Sequence, residues 1–151
     1  MFVGAQVHQK DDNNRIRIPQ MFRAELGTSF YFAKGGNGAV HIYTQKYVND
    51  IFEKINLALN PLDESEVDAV AEYSAGFKPV SEDKQGRVTI PEEIVSYGNL
   101  GRDLKTVGIG NLLVVYNAKP EDMQTDANTY TKTLGKISEI IARKNNSDKV
   151  E

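Results

Sequence analysis

Two arginines, Arg15 and Arg87, stand at the same place in a nine-residue stretch that occurs twice in the 151-residue chain. The stretches read DDNNRIRIP over residues 11–19 and DKQGRVTIP over residues 83–91. A guanidinium presents its N–H donors in a planar fork that fits paired acceptors such as O6 and N7 of guanine. Both arginines are therefore candidates for direct contact with bases.

A tight turn is predicted before each arginine. Asp11 and Asp83 can accept hydrogen bonds from backbone N–H groups across such a turn. Gly86 tolerates positive φ, and Asn14, at the equivalent position, is one of the few other residues that do. Each arginine would then leave its turn at a fixed angle. A single turn of this kind also fits an ordinary hairpin, but its repetition favours a functional interpretation.

Other polar residues near the turns extend this candidate surface. Lysines and arginines hold phosphates, and amides can bond the nucleic-acid backbone or base edges. Arg23 is the least secure candidate, because it lies on the following helix, where solvation or packing on the core would also explain it. The candidate phosphate contacts are Lys10, Arg17, Arg23 and Lys84, and the candidate amide contacts are Asn13, Asn14 and Gln85.

The strand after the first turn, residues 15–18, alternates between cationic and apolar side chains. Ile16 and Ile18 share one face, so that one side of the strand packs and the other remains cationic. The second copy predicts an equivalent strand over residues 86–90. A proline ends each stretch with its φ pre-set for the first helical position, so a short helix should follow. The two copies are expected to interlock about a pseudo-twofold axis.

The remaining segments predict hairpins and helices around the two copies. The first strand carries Val3, Ala5 and Val7 on its more apolar face. The helix after residue 44 has a broad apolar face that should cover the sheet. The predicted strands are 2–9, 28–33, 39–43, 77–80, 105–109 and 112–116, and the predicted longer helices are 45–59, 63–76 and one from Pro120 that frays over 145–151.

The last predicted helix carries an apolar stripe at spacings of three and four. This stripe could meet a neighbouring subunit or lie on its own domain, and the residues leave both interpretations open. Its members are Met123, Ala127, Tyr130, Leu134, Ile137 and Ile141.

Charge is distributed unevenly along the chain. There are 18 Lys plus Arg against 21 Asp plus Glu, a net charge of -3, which by itself argues mildly against nucleic acid. Residues 1–24, however, carry four basic and two acidic residues, whereas residues 49–83 carry two basic and nine acidic ones. The asymmetry indicates a basic working edge. With no apolar run as long as a membrane span, we expect a soluble, cytoplasmic protein.

No pattern indicates an active site, and we expect neither a metal nor another cofactor. The chain has no cysteine, which excludes disulfides and thiolate catalysis. His8 and His41 lack a partner at metal-ligand spacing. The glycines of residues 35–38 lack the end of a phosphate loop, and Gly108 with Gly110 is half a dinucleotide fingerprint. Both glycine runs predict hairpin turns, and enzyme activity is not expected.

At these residues the chain resembles the MraZ family of bacterial transcriptional regulators, within the AbrB-like swapped-hairpin superfamily. The resemblance covers about residues 1–123. It runs through the opening 26 residues, AKGGNGAVHIY from Ala33, DKQGRVTIP and VGIGN from Val107. In the opening segment the matching positions are Phe2, Gly4, His8, Asp11, Arg15, Ile18, Pro19, Phe22, Arg23 and Leu26.

The resemblance implies an α+β fold built from two pseudo-symmetric AbrB-like swapped-hairpin β-barrel halves with flanking helices. The first half would span residues 1–60, a helical connector 61–76, the second half 77–123, and a C-terminal helix with its tail 124–151. Relatives in this family bind direct repeats in the promoter of a division and cell-wall gene cluster, usually repressing it. They form rings.

These properties imply a nucleoid-associated DNA-binding protein whose partners are double-stranded promoter DNA and further copies of itself. Three positions depart from the family pattern: Asn14 replaces a usual glycine, Lys10 a usual apolar residue and Val3 a common basic residue. Pro79 also departs, and because it cannot donate an N–H it predicts an edge strand or a bulge. The net negative charge and the altered first turn leave an alternative, an oligomeric interaction scaffold of the same fold without DNA binding.

Overall fold

The computed structural model describes residues 1–123 and 126–150. The chain divides into two compact units, Met1–Ala118 and Lys119–Glu151. The described residues form a mixed α+β structure with eight strands and five α-helices. These are β1 Phe2–Gln9, β2 Arg15–Ile16, α1 Gln20–Leu26, β3 Ser29–Lys34, β4 Val40–Thr44, α2 Gln45–Ala58, α3 Glu64–Ala75, β5 Phe77–Ser81, β6 Val88–Thr89, α4 Glu92–Gly98, β7 Asp103–Gly110, β8 Leu113–Asn117 and α5 Ala127–Val150.

Six strands form one antiparallel sheet in the order β1-β7-β8-β4-β3-β5. The first strand of each half pairs with the hairpin of the other half, β1 with β7 and β5 with β3. Both predicted hairpins, β3–β4 and β7–β8, are present. The expectation of closed β-barrel halves is wrong for the described strands, because β1 and β5 remain as sheet edges. Pro79 lies in β5, so the prediction of an edge strand is confirmed.

A separate two-stranded sheet joins the duplicated stretches. In it β2 pairs antiparallel with β6, with Arg15 opposite Thr89 and Ile16 opposite Val88. Ile16 and Val88 are equivalent residues of the two copies, so the local pseudo-twofold axis passes between them. Each strand has only two residues and is shorter than predicted, although the N–H of Ile90 still donates to the Asn14 carbonyl beyond the ladder.

The core lies between this small sheet and the inner face of the large one. Equivalent residues of the two copies fill it in pairs: Ile16 with Val88, Ile18 with Ile90, and Phe22 with Ile94, each at most 3% exposed. The large sheet adds a second set of fully buried side chains. They are Phe30, Phe32, Val40, Ile42, Leu104 and Leu113.

The short helices α1 and α4 begin one residue later than predicted. Pro19 and Pro91 have ψ of 135° and 139°, which is extended backbone, so each proline precedes its helix rather than opening it. Gly27 ends α1 with φ of 80°, as the sequence predicts. Both helices are therefore fixed at the ends of the two repeated stretches.

Helices α2 and α3 cover the outer face of the sheet at its β5 end. Tyr47 of α2 stacks on Tyr43 of β4 with ring centroids 4.7 Å apart. Phe77 of β5 meets both Phe52 of α2, at 5.2 Å, and Tyr73 of α3, at 5.0 Å. The prediction that the helix after residue 44 covers the sheet is confirmed. At the opposite end of the sheet, the apolar face of β1 is exposed.

Helix α5 belongs to the unit Lys119–Glu151 and differs from its prediction at both ends. Pro120–Met123 form a 3₁₀ turn, and α5 begins at Ala127. It continues to Val150, past residue 145, where the sequence predicts fraying. The hydroxyl of Thr131 donates to the carbonyl four residues earlier, which satisfies this residue inside the helix. No helix of the described residues is long and apolar enough to cross a membrane.

Candidate nucleic-acid interface

The first turn is held by the carboxylate of Asp11. Its Oδ1 accepts hydrogen bonds from the backbone N–H groups of Asn13 and Arg15, both at 2.9 Å. The N–H of Asn14 donates to the Asp11 carbonyl at 3.0 Å. Asn14 has φ of 60°, the left-handed conformation that the sequence requires of this position. The replacement of the usual glycine therefore leaves the turn intact.

The second turn repeats this geometry bond for bond. Oδ1 of Asp83 accepts from the N–H groups of Gln85 and Arg87 at 2.8 and 2.9 Å. The N–H of Gly86 donates to the Asp83 carbonyl at 3.0 Å, and its φ is 75°. Both aspartates accept the bonds that close their turns, and Gly86 has the positive φ that its turn requires.

Each aspartate also fixes its arginine side chain. Arg15 Nε lies 2.7 Å from Asp11 Oδ2, and Arg87 Nε lies 3.1 Å from Asp83 Oδ2. The pKa of each carboxyl is held below its ordinary value. The first cause is the hydrogen bond from the backbone N–H of the same arginine, and the side-chain bond adds to it. The arginine side chains are 31% and 26% exposed. The ion pairs orient both guanidinium groups without removing them from solvent.

A groove of about 590 Å³ brings the two arginines together. Five cations and two carboxylates line it, so its local charge is positive although the chain is acidic. A positive concave surface attracts and holds a phosphate backbone. The lining residues are His8, Gln9, Lys10, Asp11, Asp12, Arg15, Ile16, Arg17, Arg87 and Arg102.

The groove contains some predicted residues and omits others. Lys10 and Arg17 line it with the two arginines, whereas the predicted contacts Lys84, Asn13, Asn14 and Gln85 lie on the turns outside its lining. Asn13 and Gln85 use their backbone N–H groups to hold the turns.

Arg102 is a groove residue that sequence reasoning missed. The N–H of Lys10 donates to its carbonyl at 3.0 Å, so the end of β1 and the start of β7 meet here. Its position depends on the pairing of β1 with β7, which joins residues about a hundred positions apart. No local signal in the sequence marks it.

Arg17 and Arg23 both have partners within the chain. Arg17 donates from Nη1 to the carbonyl of Gln85, which ties the first strand to the second turn. Arg23 binds Glu82 through Nε at 3.2 Å and Nη2 at 3.0 Å. The Glu82 side chain is only 8% exposed, and a buried carboxylate needs such a partner. Arg23 therefore has a structural ion-pairing role, and its predicted phosphate contact stays a prediction.

Both histidines form hydrogen bonds with side chains of the large sheet. His8 Nε2 lies 2.6 Å from Thr106 Oγ1, and His41 Nδ1 lies 3.0 Å from the Tyr43 hydroxyl. Burial lowers the pKa of both imidazoles below the ordinary value. Across the part of the chain that the structure describes, no group of three or more histidine, aspartate or glutamate residues is arranged to hold a metal ion.

The two glycine runs have different outcomes. Gly36–Gly38 form a 3₁₀ turn between β3 and β4, and Tyr97 bonds this loop through its hydroxyl. The prediction of a hairpin turn is confirmed there. Gly110 ends β7 at the turn to β8 with φ of 89°, as predicted, whereas Gly108 lies inside β7, where a Cβ would come within 2.6 Å of the backbone of β1. A side chain is excluded at this position because the two strands approach so closely.

Comparisons with known proteins give one consistent result. No family model matches the chain. Among curated proteins, it is 33% identical to the "Transcriptional regulator MraZ" of Clostridium tetani over 142 residues, which is 93% of this chain and 99% of that protein. The protein of the same name from Dictyoglomus turgidum is 31% identical over 142 residues, covering 94% and 97%. The one from Clostridium acetobutylicum is 32% identical over 118 residues, covering 78% and 82%.

Proposed function

Because this chain belongs to the MraZ family of transcriptional regulators, we propose that it binds double-stranded DNA sequence-specifically through its two arginine turns. The observation that supports this most directly is the groove lined by five cations, which include Arg15 and Arg87. Two turns of the same hydrogen-bonding geometry, each with an oriented guanidinium, form one compact surface for DNA. The net charge of -3 does not oppose this function, since the positive charge is local.

In this proposal, Arg15 and Arg87 contact base edges and the surrounding cations contact phosphates. A guanidinium held by its Nε can still present its terminal N–H groups to two acceptors on guanine. Phosphate contacts set position and salt dependence but carry no sequence information. The phosphate contacts are Lys10, Arg17, Lys84 and Arg102, and additional amide contacts come from Asn13, Asn14 and Gln85.

The DNA sites are direct repeats in the promoter of a division and cell-wall gene cluster, and binding represses that cluster from the nucleoid. The chain assembles into a ring-shaped homo-oligomer whose subunits meet successive repeats. Linking several weak contacts raises the overall affinity through effective concentration. The exchange of first strands between the halves supports two interlocked halves of the AbrB-like swapped-hairpin type.

Fluorescence anisotropy tests this function with labelled DNA from upstream of the gene. The double variant Arg15→Ala, Arg87→Ala should lose the preference for this DNA, with each base contact costing about 1–3 kcal/mol. Wild-type affinity should fall with salt, with a slope near -0.9 times the number of neutralised phosphates. The matched control is Lys46→Ala, Lys54→Ala, which removes the same charge from α2 outside the groove, and it should keep the preference.

The same titration distinguishes the alternative. Equal binding of upstream and scrambled DNA, or an affinity that does not change with salt, would refute sequence-specific recognition. An oligomeric protein with that behaviour would be an interaction scaffold. The net negative charge and the internal pairing of both arginines with aspartates are the observations that favour this second candidate.

A further inference from the structure

The two turns carry opposite charges at one equivalent position. Asp12 is the second residue of the first turn, over residues 11–14, and Lys84 is the second residue of the second turn, over residues 83–86. Both residues are exposed. The two turns have the same backbone hydrogen bonds, so the turn itself does not require this difference in charge. The fold therefore presents a carboxylate and an ammonium group at matching places.

Neither of these two side chains is used by the fold. In the first turn, Asp11 accepts all of the closing bonds, from the N–H groups of Asn13 and Arg15 at 2.9 Å and from Arg15 Nε at 2.7 Å. Within residues 1–123 and 126–150, the side chains of Asp12 and Lys84 form no hydrogen bond and no ion pair. Both charges are therefore available to a binding partner.

The position of Asp12 limits what that partner can be. Asp12 lines the groove together with Arg15 and the other four cations. A carboxylate at this place repels a phosphate backbone and weakens the binding of every DNA sequence. It favours binding only where it meets a hydrogen-bond donor of the DNA, and the donors of the major groove are the amino groups of the bases. The groove thus holds an unused acceptor beside the arginine donors.

Cytosine is the base whose major-groove edge fits a carboxylate. An ionised carboxylate only accepts hydrogen bonds. Cytosine presents its N4 amino group as a donor, whereas adenine presents the acceptor N7 beside its N6 amino group and so repels a second acceptor. Guanine presents two acceptors, which match a guanidinium. Arg15 and Asp12 therefore supply, from one turn, donors for a guanine and an acceptor for a cytosine.

The second turn has no free acceptor of this kind. Its aspartate is bonded within the turn, and the Glu82 side chain is only 8% exposed and is bound to Arg23. A Cβ at Gly86 would lie 3.4 Å from Arg17 Nη1 and 3.5 Å from Arg23 Nη2, so two further guanidinium groups lie beside this turn. Lys84 adds a positive charge. This environment suits phosphate.

We propose that Asp12 is a specificity-determining residue, which accepts a hydrogen bond from the N4 amino group of a cytosine beside the guanine that Arg15 contacts. Lys84, at the equivalent position, contacts phosphate. The first turn then reads two bases, whereas the second turn reads one base through Arg87 and holds the DNA backbone. This inference rests on the proposed DNA-binding function and assigns a base to one further residue of the same site.

A DNA library tests this assignment. Each base pair of the upstream DNA is replaced in turn by the three others, and bound and free molecules are sequenced for the wild type and for Asp12→Ala. The variant should lose a preference of about tenfold for cytosine at one position of each site and keep the preference for guanine. The matched control is Asp68→Ala, which removes the same charge from an exposed position of α3, and it should keep both preferences.

A second measurement removes the amino group instead of the carboxylate. Replacing that cytosine by 2-pyrimidinone, which keeps the ring and lacks the amino group, should weaken the binding of the wild type about tenfold. Binding of Asp12→Ala should be nearly unchanged by this replacement, because the carboxylate that meets the amino group is already absent. Denaturant unfolding of Asp12→Ala should match that of the wild type, since no contact within the described residues uses this side chain.

The outcomes separate this inference from the proposed function. If Asp12→Ala binds every sequence more tightly by the same factor, the carboxylate only repels phosphate, and the assignment is overturned while sequence-specific binding stands. Equal losses of the wild type and Asp12→Ala on the 2-pyrimidinone DNA would overturn the contact in the same way. A wild type without any sequence preference overturns the proposed function and this inference together.

Discussion

Arg15 and Arg87 each donate two hydrogen bonds to one aspartate, one from the backbone N–H and one from Nε. The two bonds fix the backbone position of each arginine and the orientation of its guanidinium plane. Preorganised side chains lose less conformational freedom when they bind a partner. In the proposed function, the aspartates would contribute to recognition through this preorganisation, although like charge keeps them from touching phosphates.

A titration of Asp83 separates the two attachments. Its pKa lies below the ordinary 3.8 chiefly because the backbone N–H of Arg87 bonds the ionised form. In Arg87→Ala this N–H remains, so most of the lowering should persist in carbon-detected NMR. Because the folded-state pKa is lowered, the contribution of Asp83 to stability is present above its ordinary pKa and is lost as pH falls through the lowered value. A return to the ordinary value in Arg87→Ala would contradict this assignment.

Arg102 provides a second test at the level of single residues. If it contacts phosphate, Arg102→Ala should weaken binding to every DNA sequence by a similar factor and reduce the magnitude of the salt slope by about one. Anisotropy at several salt concentrations measures both effects. Lys105→Ala, on the following strand, is the matched control for loss of one positive charge. A change in sequence preference would instead assign Arg102 to base contact.

The turns are the elements that the sequence predicts best. Their hydrogen bonds are local, so residue types such as Asp11 and Asn14 determine them without knowledge of the rest of the chain. Asn14 takes the same left-handed conformation as Gly86, which shows that the requirement is for backbone conformation rather than for glycine itself. The limits of α5 were less predictable, since weak helix formers such as Thr131 satisfy their hydroxyls within the helix.

Substitution at Gly86 tests the conformational requirement of the turn. Gly86→Ala places a Cβ at φ of 75° and should lower the free energy of unfolding by about 1–2 kcal/mol. Gly86→Asn should cost less, because asparagine adopts this conformation at the equivalent position. Chemical denaturation measures both variants. Equal losses in the two would contradict the equivalence of the turns.

Substitution of Gly108 tests the pairing between β1 and β7. A Cβ there lies 2.6 Å from the backbone of Phe2, so Gly108→Ala should force the strands apart and cost about 1–3 kcal/mol. Gly36→Ala, whose Cβ meets nothing within 4 Å, is the control. Faster hydrogen exchange confined to β1 would identify the strand that separates. An unchanged stability would show that the strands can shift freely.

For the molecule as a whole, sequence reasoning anticipated both hairpins and a close association of the two duplicated stretches, which pair as β2 and β6. It did not anticipate an open sheet, because closure depends on long-range pairing that local patterns do not encode. Arg102 was missed for the same reason, since it reaches the groove only through β1 and β7. It also gave no indication that Val3 and its neighbours on β1 would be exposed, because alternation predicts an apolar face but not its cover.

The proposed assembly of several copies predicts a strong dependence on the number of repeats. DNA with two tandem repeats should bind about 10²–10⁴ times more tightly than DNA with one, through effective concentration. Inserting about five base pairs between the repeats turns the second site to the opposite side of the duplex and should abolish most of the gain. Anisotropy with the three DNAs measures this effect. Equal affinities would show that copies bind independently.

The salt bridge between Arg23 and Glu82 makes the surroundings of the two arginine turns unequal. The residues equivalent to this pair in the other copy are Val95 and Lys10, so a carboxylate flanks the second turn where a lysine flanks the first. A surface with two identical sides would bind its DNA site equally well in both orientations and would suit a palindrome. The surface that carries the two turns is therefore asymmetric. Its preferred sites should be asymmetric sequences that all lie in the same orientation along the duplex.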